Sequence, residues 1–192
     1  MKKSSVLLAM FASMAVAPAT MAGVASFQWN GEIPSITTDS DKFWIVVPDG
    51  QTLLSATNTT AGKLVFRNNN GVVDLLSSTE FGFKVVKNAT VEAGPILGFD
   101  PTTDVEDYAY KIQLTDLQVS QNGEFLASGT DYFGIHANNT ALELGAKPTD
   151  IAAGKATLIK VAKVAADNVH LTGAEAGSAV IVSAKVAVTT TL

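Results

Sequence analysis

Apolar residues recur at every second position in this chain, and turn residues interrupt them at short intervals. In YAYKIQLTDLQVS (108–120), Tyr108, Tyr110, Ile112 and Leu114 fall on one face. That period belongs to a strand half-buried on a sheet. FWIVV (43–47) runs into Pro48-Asp49-Gly50, where proline presets φ and glycine takes the awkward dihedral. KLVF (63–66) runs into Asn68-Asn69-Asn70-Gly71, the strongest hairpin signal in the chain. VVDLL (72–76) and FGFKVV (81–86) follow. Gln121-Asn122-Gly123 then returns the chain into EFLA (124–127). DYFGIHA, LELG, TLIKVAKV and NVHL are shorter candidates. Short strands with turn signals about every ten residues predict an all-β sandwich or barrel. Residues 153–167 also fit a helical stripe through Leu158, Ile159, Ala162 and Ala165, but β-branched content and Gly154 favour strand. Residues 94–108, with Gly, Pro and Asp, read as a long surface loop.

The front of the chain has a different character. Lys2 and Lys3 precede an apolar run from Val6 to Ala17, then Pro18 and the small-residue pattern Thr20-Met21-Ala22. This is the pattern of a secretory signal peptide over residues 1–22, with Ala25 as a second cleavage candidate. Of 192 residues, 170 would remain, enough for one domain with a real core. Losing Lys2 and Lys3 moves the formal charge from −5 to −7, which argues against nucleic acid and anionic membrane surfaces as partners. No cysteine is present, so thiol chemistry and cysteine-based metal sites are excluded.

The inventory for catalysis is thin. His136 and His170 are the only histidines, and neither has a partner histidine at metal-binding spacing. No GxSxG, P-loop or GxGxxG motif occurs. Asp100, Asp104, Glu106 and Asp107 form the densest acidic cluster, but without the alternation of a calcium loop it reads as solvated. Lys155, Lys160 and Lys163 read as an exposed face, and Asn58, Asn88 and Asn138 each open an Asn-x-Thr triplet. Trp44, Tyr108 and Tyr110 are candidate binding aromatics, with core packing the stronger reading. The expectation is a protein that is not an enzyme, with no catalytic residue, metal or cofactor.

The two ends carry more information. At the C-terminus, Val180, Val182, Ala184, Val186 and Val188 share one face of a long run. Such a strand needs a neighbour on each side, or its free N–H and C=O groups form an adhesive edge. Near the N-terminus, Ala25, Phe27, Trp29, Gly31 and Ile33 share a face of SFQWNGEIP (26–34) and its flank. Glycine inside an apolar stripe marks a close approach of backbones.

FQWNGEIPSI resembles the N-terminal extension of chaperone–usher pilus subunits, and AGSAVIVSAKVAVTTTL resembles their last strand, with Gly177 near its opening. The resemblance implies an incomplete immunoglobulin-like β-sandwich with an N-terminal donor-strand extension. Residues 23–34 would be the extension and 35–192 the pilin domain. A periplasmic chaperone would pair with the groove-edge strand carrying Val180, Val182, Ala184, Val186 and Val188. At the outer-membrane usher, the donor strand of the next copy (Ala25, Phe27, Trp29, Gly31, Ile33) would replace it. It further implies export through the periplasm to a surface fimbrium, a homopolymer serving adhesion, and a host receptor as a further partner. The chain departs from the common pattern in lacking a disulfide and in carrying Thr191 at the penultimate place. Room for only one domain implies a shaft subunit rather than a two-domain tip adhesin. The competing expectation is a self-contained secreted β-sandwich that binds a glycan or a protein.

Overall fold

The structure, a computed structural model, describes residues 21–29, 42–54, 62–89, 98–127, 129–164, 167 and 169–190. Its strands are β1 (Met21–Trp29), β2 (Phe43–Val46), β3 (Leu64–Asn69), β4 (Val72–Ser78), β5 (Phe81–Lys87) and β6 (Tyr110–Gln121). β7 (Glu124–Phe125), β8 (Phe133–Ala137), β9 (Thr140–Leu142), β10 (Thr149–Ile151), β11 (Thr157–Lys163) and β12 (Val180–Thr190) complete them. One helical turn, α1 (Gly129–Tyr132), interrupts the pattern between β7 and β8.

The strands form two main sheets. One runs β1-β12-β6-β10, with β7 also on β6; the other runs β2-β5-β11-β8-β9. β3 and β4 form a separate hairpin. Neither sheet closes on itself, and their facing sides share one core that includes Phe83, Phe133, Ile135 and Ile159 on one side and Ile112, Leu114, Val182 and Val186 on the other. This is an all-β, two-layer arrangement resembling an incomplete sandwich. A buried polar tie crosses the layers. The Tyr110 hydroxyl lies 2.8 Å from Thr157 Oγ1 and donates to the Lys155 carbonyl at 3.0 Å. Burial pushes the Tyr110 pKa up to about 12, against the lowering effect of Thr157.

The turn chemistry explains the connections. Asn70 and Gly71 between β3 and β4, and Asn122 and Gly123 between β6 and β7, all take positive φ. Two-residue hairpins with that geometry match the right-handed twist of their strands. A third hairpin, β8 to β9, uses Asn138-Asn139, also both at positive φ. No glycine announced it, but asparagine tolerates the left-handed region. The expected turn at 48–50 is present, closed by the Gly50 N–H donating to the Val47 carbonyl at 2.8 Å. Strand rather than helix wins over 157–163.

Three expectations need correction. Residues 98–108 run as a largely exposed loop, but the acidic cluster within it is not wholly solvated. Asp104 is buried and accepts from the Ala89 and Asp100 N–H groups at 2.8 and 3.0 Å, while Asp107 bridges Val86 of β5. A carboxylate that accepts backbone N–H bonds can be buried without a metal or a cation. LELG is not a strand: β9 ends at Leu142, and Gly145 turns at positive φ. NVHL contributes one isolated bridge, Leu171 to Val73. α1 was not foreseen either. It begins at Gly129, where a Cβ would sit 2.4 Å from Val119 Cβ, so the turn can lie on β6 only without a side chain there.

Candidate functional site

β12 is the strand around which a functional reading turns. Every second residue from Val180 to Val188 is buried, and Val182, Val186 and Val188 are fully so. The four valines of this stripe contribute roughly 6–12 kcal/mol of apolar burial at about 1.5–3 each, an upper figure relative to an extended chain.

One edge of β12 is held by β6. Their antiparallel register runs from Val180 opposite Gln121 to Thr190 opposite Tyr110, with one break opposite Lys185–Val186. The break is a bulge at Thr115: Leu114 faces Val186 and Asp116 faces Lys185. An extra residue reverses which side chains face inward. Tyr110, Ile112 and Leu114 are buried before it, and Val119 after it. On the outer side, Lys185 Nζ reaches Asp116 Oδ2 at 3.2 Å, and the Thr115 hydroxyl donates to the Lys185 carbonyl at 3.2 Å.

The other edge of β12 is held by β1. This register is also antiparallel: Gly23, Ala25, Phe27 and Trp29 stand opposite Val188, Val186, Ala184 and Val182. Those are the β12 positions whose side chains fill the core. β1 also comes against β2 at the rim between the sheets. Without β1, the β12 positions from Val182 to Thr189 would present an unpaired edge. The neighbour on each side that β12 needs is therefore supplied within one chain. Of the five N-terminal positions singled out from sequence, Ala25, Phe27 and Trp29 lie on β1; Gly31 and Ile33 lie outside the described residues.

The remaining candidates do not converge. Tyr110 is core. Tyr108 packs on Phe43 with ring centroids 4.6 Å apart, and Trp44 meets Phe99 edge-on at 6.2 Å. His136 stands across the ladder from Lys160, and burial followed by that charge lowers its pKa. His170 lies on a separate segment beside the Leu171 bridge. Lys160 approaches Glu80 and Lys163 binds Asp74, so neither is a bare cation. Asn88 is buried, and Asn138 uses both ends of its amide on the β11 segment, accepting from Leu158 N–H and donating to the Ala156 carbonyl. Asn58 lies outside the described residues.

A second polar centre surrounds Asp74 on β4. Its carboxylate takes Lys163 Nζ at 2.8 Å, Arg67 at 3.1 Å and the Tyr132 hydroxyl at 3.4 Å. The Lys163 hydrogen bond leads in holding its pKa below the usual value. The Tyr132 hydroxyl also accepts from the buried Leu75 N–H at 2.6 Å. These bonds fasten the β3–β4 hairpin to β11 and α1. A cleft of about 140 Å³ lies between β6 and the 141–149 segment, lined by Ile112, Leu114, Leu142, Glu143, Lys147 and Thr149. Among the described residues, no group of three or more His, Asp or Glu side chains is placed to hold a metal ion. No helix among them is long and apolar enough to cross a membrane, which says nothing about strands.

No protein-family model, curated protein or solved structure matches this chain. The fold and the edge define its class: a cysteine-free all-β domain of two sheets, resembling an incomplete sandwich, with its N-terminal strand laid along its last strand.

Proposed function

We propose that this chain is a structural subunit of a bacterial surface fimbria, assembling by donor-strand exchange. β1 of one copy would lie along β12 of the next. The observation that supports this reading is the register of β1 on β12. An antiparallel ladder puts opposed positions on one face of the sheet. Ala25, Phe27 and Trp29 stand opposite the β12 positions that fill the core, the register a completing strand requires. Strand addition combines main-chain hydrogen bonds with apolar burial. On this reading a periplasmic chaperone holds the same edge before assembly, an outer-membrane usher catalyses the replacement, and the product is exported to the cell surface for adhesion.

A second reading is a self-contained secreted binding module. The same pairing favours it, because β1 meets β12 within a single chain.

Circular rearrangement separates the two. Met21 stands opposite Thr189, so the start of β1 lies beside the end of β12. Residues 23–34 moved behind Leu192 through a short flexible turn would form a hairpin with β12. If strands exchange between copies, the rearranged chain is a monomer at all concentrations and melts well above the parent. The parent assembles as its concentration rises. A parent that stays monomeric and melts no lower than the rearranged chain sinks the fimbrial reading and leaves the binding module.

A further inference from the structure

β1 ends at one end of the sandwich, and β2 begins at the other. Trp29 stands opposite Val182, which stands opposite Val119, close to where β6 finishes. Phe43 stands opposite Lys87, and neighbouring Val86 bridges Asp107, just before β6 starts at Tyr110. The Asn88 N–H fixes the same end by donating to the Lys42 carbonyl at 2.8 Å. From the level of Tyr110 to that of Val119 is roughly 27–30 Å at about 3.3 Å per strand residue. The ends of the chain between Trp29 and Phe43 are therefore separated by about that height whenever β1 pairs at home. If β1 pairs with a neighbour stacked end to end, the same segment crosses only the junction between two bodies.

We infer that the length of the chain between β1 and β2 decides whether β1 pairs with its own β12 or with that of a second copy. The inference rests on reading the β12 edge as an exchange site. The present segment reaches roughly 46–50 Å when extended, at about 3.3–3.6 Å per residue, so home pairing is within its reach. Deleting Pro34–Asp41 leaves a reach of roughly 20–22 Å, less than the height to be crossed. Home pairing is then barred, and a strand that cannot pair at home is satisfied by exchange. Deleting only Ser35–Thr38 leaves roughly 33–36 Å, still sufficient. Lengthening acts weakly: eight added Gly/Ser residues lower the effective concentration of β1 at its own edge by about twofold. The natural length thus permits a closed subunit, which opens only when another copy's strand, or another protein's, takes the edge.

The test uses the protein as the cell leaves it after export, with Ala25→Cys and Val186→Cys added to a cysteine-free background. These positions face each other in the register, and opposed strand positions lie within disulfide reach. Molar mass by light scattering and the position of the disulfide, within or between chains, are read together. The eight-residue deletion should give only oligomers with bonds between chains at every concentration, whereas the four-residue deletion and the insertion should give closed monomers with bonds within them at the dilutions where the natural chain is itself monomeric. A monomeric eight-residue deletion, whether bonded internally or with free thiols, overturns the inference. If that variant does not fold alone, a synthetic peptide of residues 23–33 should restore a folded 1:1 complex; failure of the peptide to do so also overturns it. A full-length chain that never exchanges, beside a shortened chain that does, would sink the fimbrial reading and leave this inference standing.

Discussion

β12 pairs with β6 over eleven register positions and with β1 over eight. The β6 seam is locked by more than its ladder. It carries a bulge at Thr115, an ion pair at Lys185, and at its end Tyr110, whose hydroxyl reaches into the other sheet. β1 comes to β12 from the far end of the chain, and the next described strand, β2, begins at the opposite end of the sandwich. The first neighbour is tied into the body by side chains as well as by its ladder. The second is described by its ladder on β12 and its approach to β2. The proposed exchange requires that the second seam can be supplied by another molecule while the first stays in place.

The largest effect should come from breaking what both seams share. Val182 is fully buried and stands opposite Val119 on one side and Trp29 on the other. Val182→Asp places a carboxylate in the core with no cation facing it from either ladder position. The expected loss exceeds about 4 kcal/mol, a large share of the roughly 5–15 kcal/mol that keeps a domain folded. Ser183→Asp, on the half-buried outer side, should change stability by no more than about 0.5–1 kcal/mol. Urea midpoints of the two variants make the comparison. Similar midpoints would mean that the stripe does not face a core.

The next effect belongs to the β6 seam alone. Tyr110→Phe removes the hydrogen bonds to Thr157 and Lys155 and should cost about 1–3 kcal/mol at neutral pH. Its pH dependence gives a second readout. Burial raises the phenol's pKa from 10.0 to about 12, so the folded state favours the neutral form. The contribution is fully present below pH 10 and is lost as pH rises towards 12. Stability of the natural chain should therefore fall across that window, and Tyr110→Phe should fall less. Tyr132, also raised by burial, leaves part of the decline in both proteins. Parallel alkaline melting curves would show that the Tyr110 phenol is not the group that titrates.

Much of this contrast could be read in the sequence, though unevenly. Period two exposed the stripe from Val180 to Val188, and asparagine–glycine pairs marked two of the hairpins. The bulge was also written there: apolar parity changes between Leu114 and Leu117, a signal that was passed over. Asn138-Asn139 escaped because the left-handed turn was sought through glycine. Asp104 escaped because a carboxylate satisfied by backbone N–H groups looks, as letters, like any solvated one. β10 is three residues long with only Ile151 buried, too short for periodicity to register. That β1 should lie beside β12 follows from no local pattern. The resemblance suggested an edge open to another copy, whereas the structure fills it from the same chain. Pairing at home and the proposed pairing with another copy would use the same residues and the same register, so sequence periodicity could not distinguish them.

The smallest expected effect sharpens the comparison most finely, because it sits where the two seams meet. Lys185 stands opposite Asp116 on the β6 side and opposite Ser26 on the β1 side. The ion pair with Asp116 is about one-third exposed, and pairs of that kind contribute about 0.2–1 kcal/mol at most. Lys185→Ala should lower the urea midpoint only slightly, and less still in high salt, where screening already weakens the natural pair. Lys185→Glu should cost more, since like charges would then face each other across the β6 ladder. If β1 exchanges between copies as proposed and the Asp116 seam is what Lys185 serves, both variants should leave the proportion of monomer and oligomer as in the natural chain. A shift in that proportion without a shift in midpoint would place the role of Lys185 on the β1 side. The outer face of β12 would then join its apolar stripe in choosing which strand it accepts.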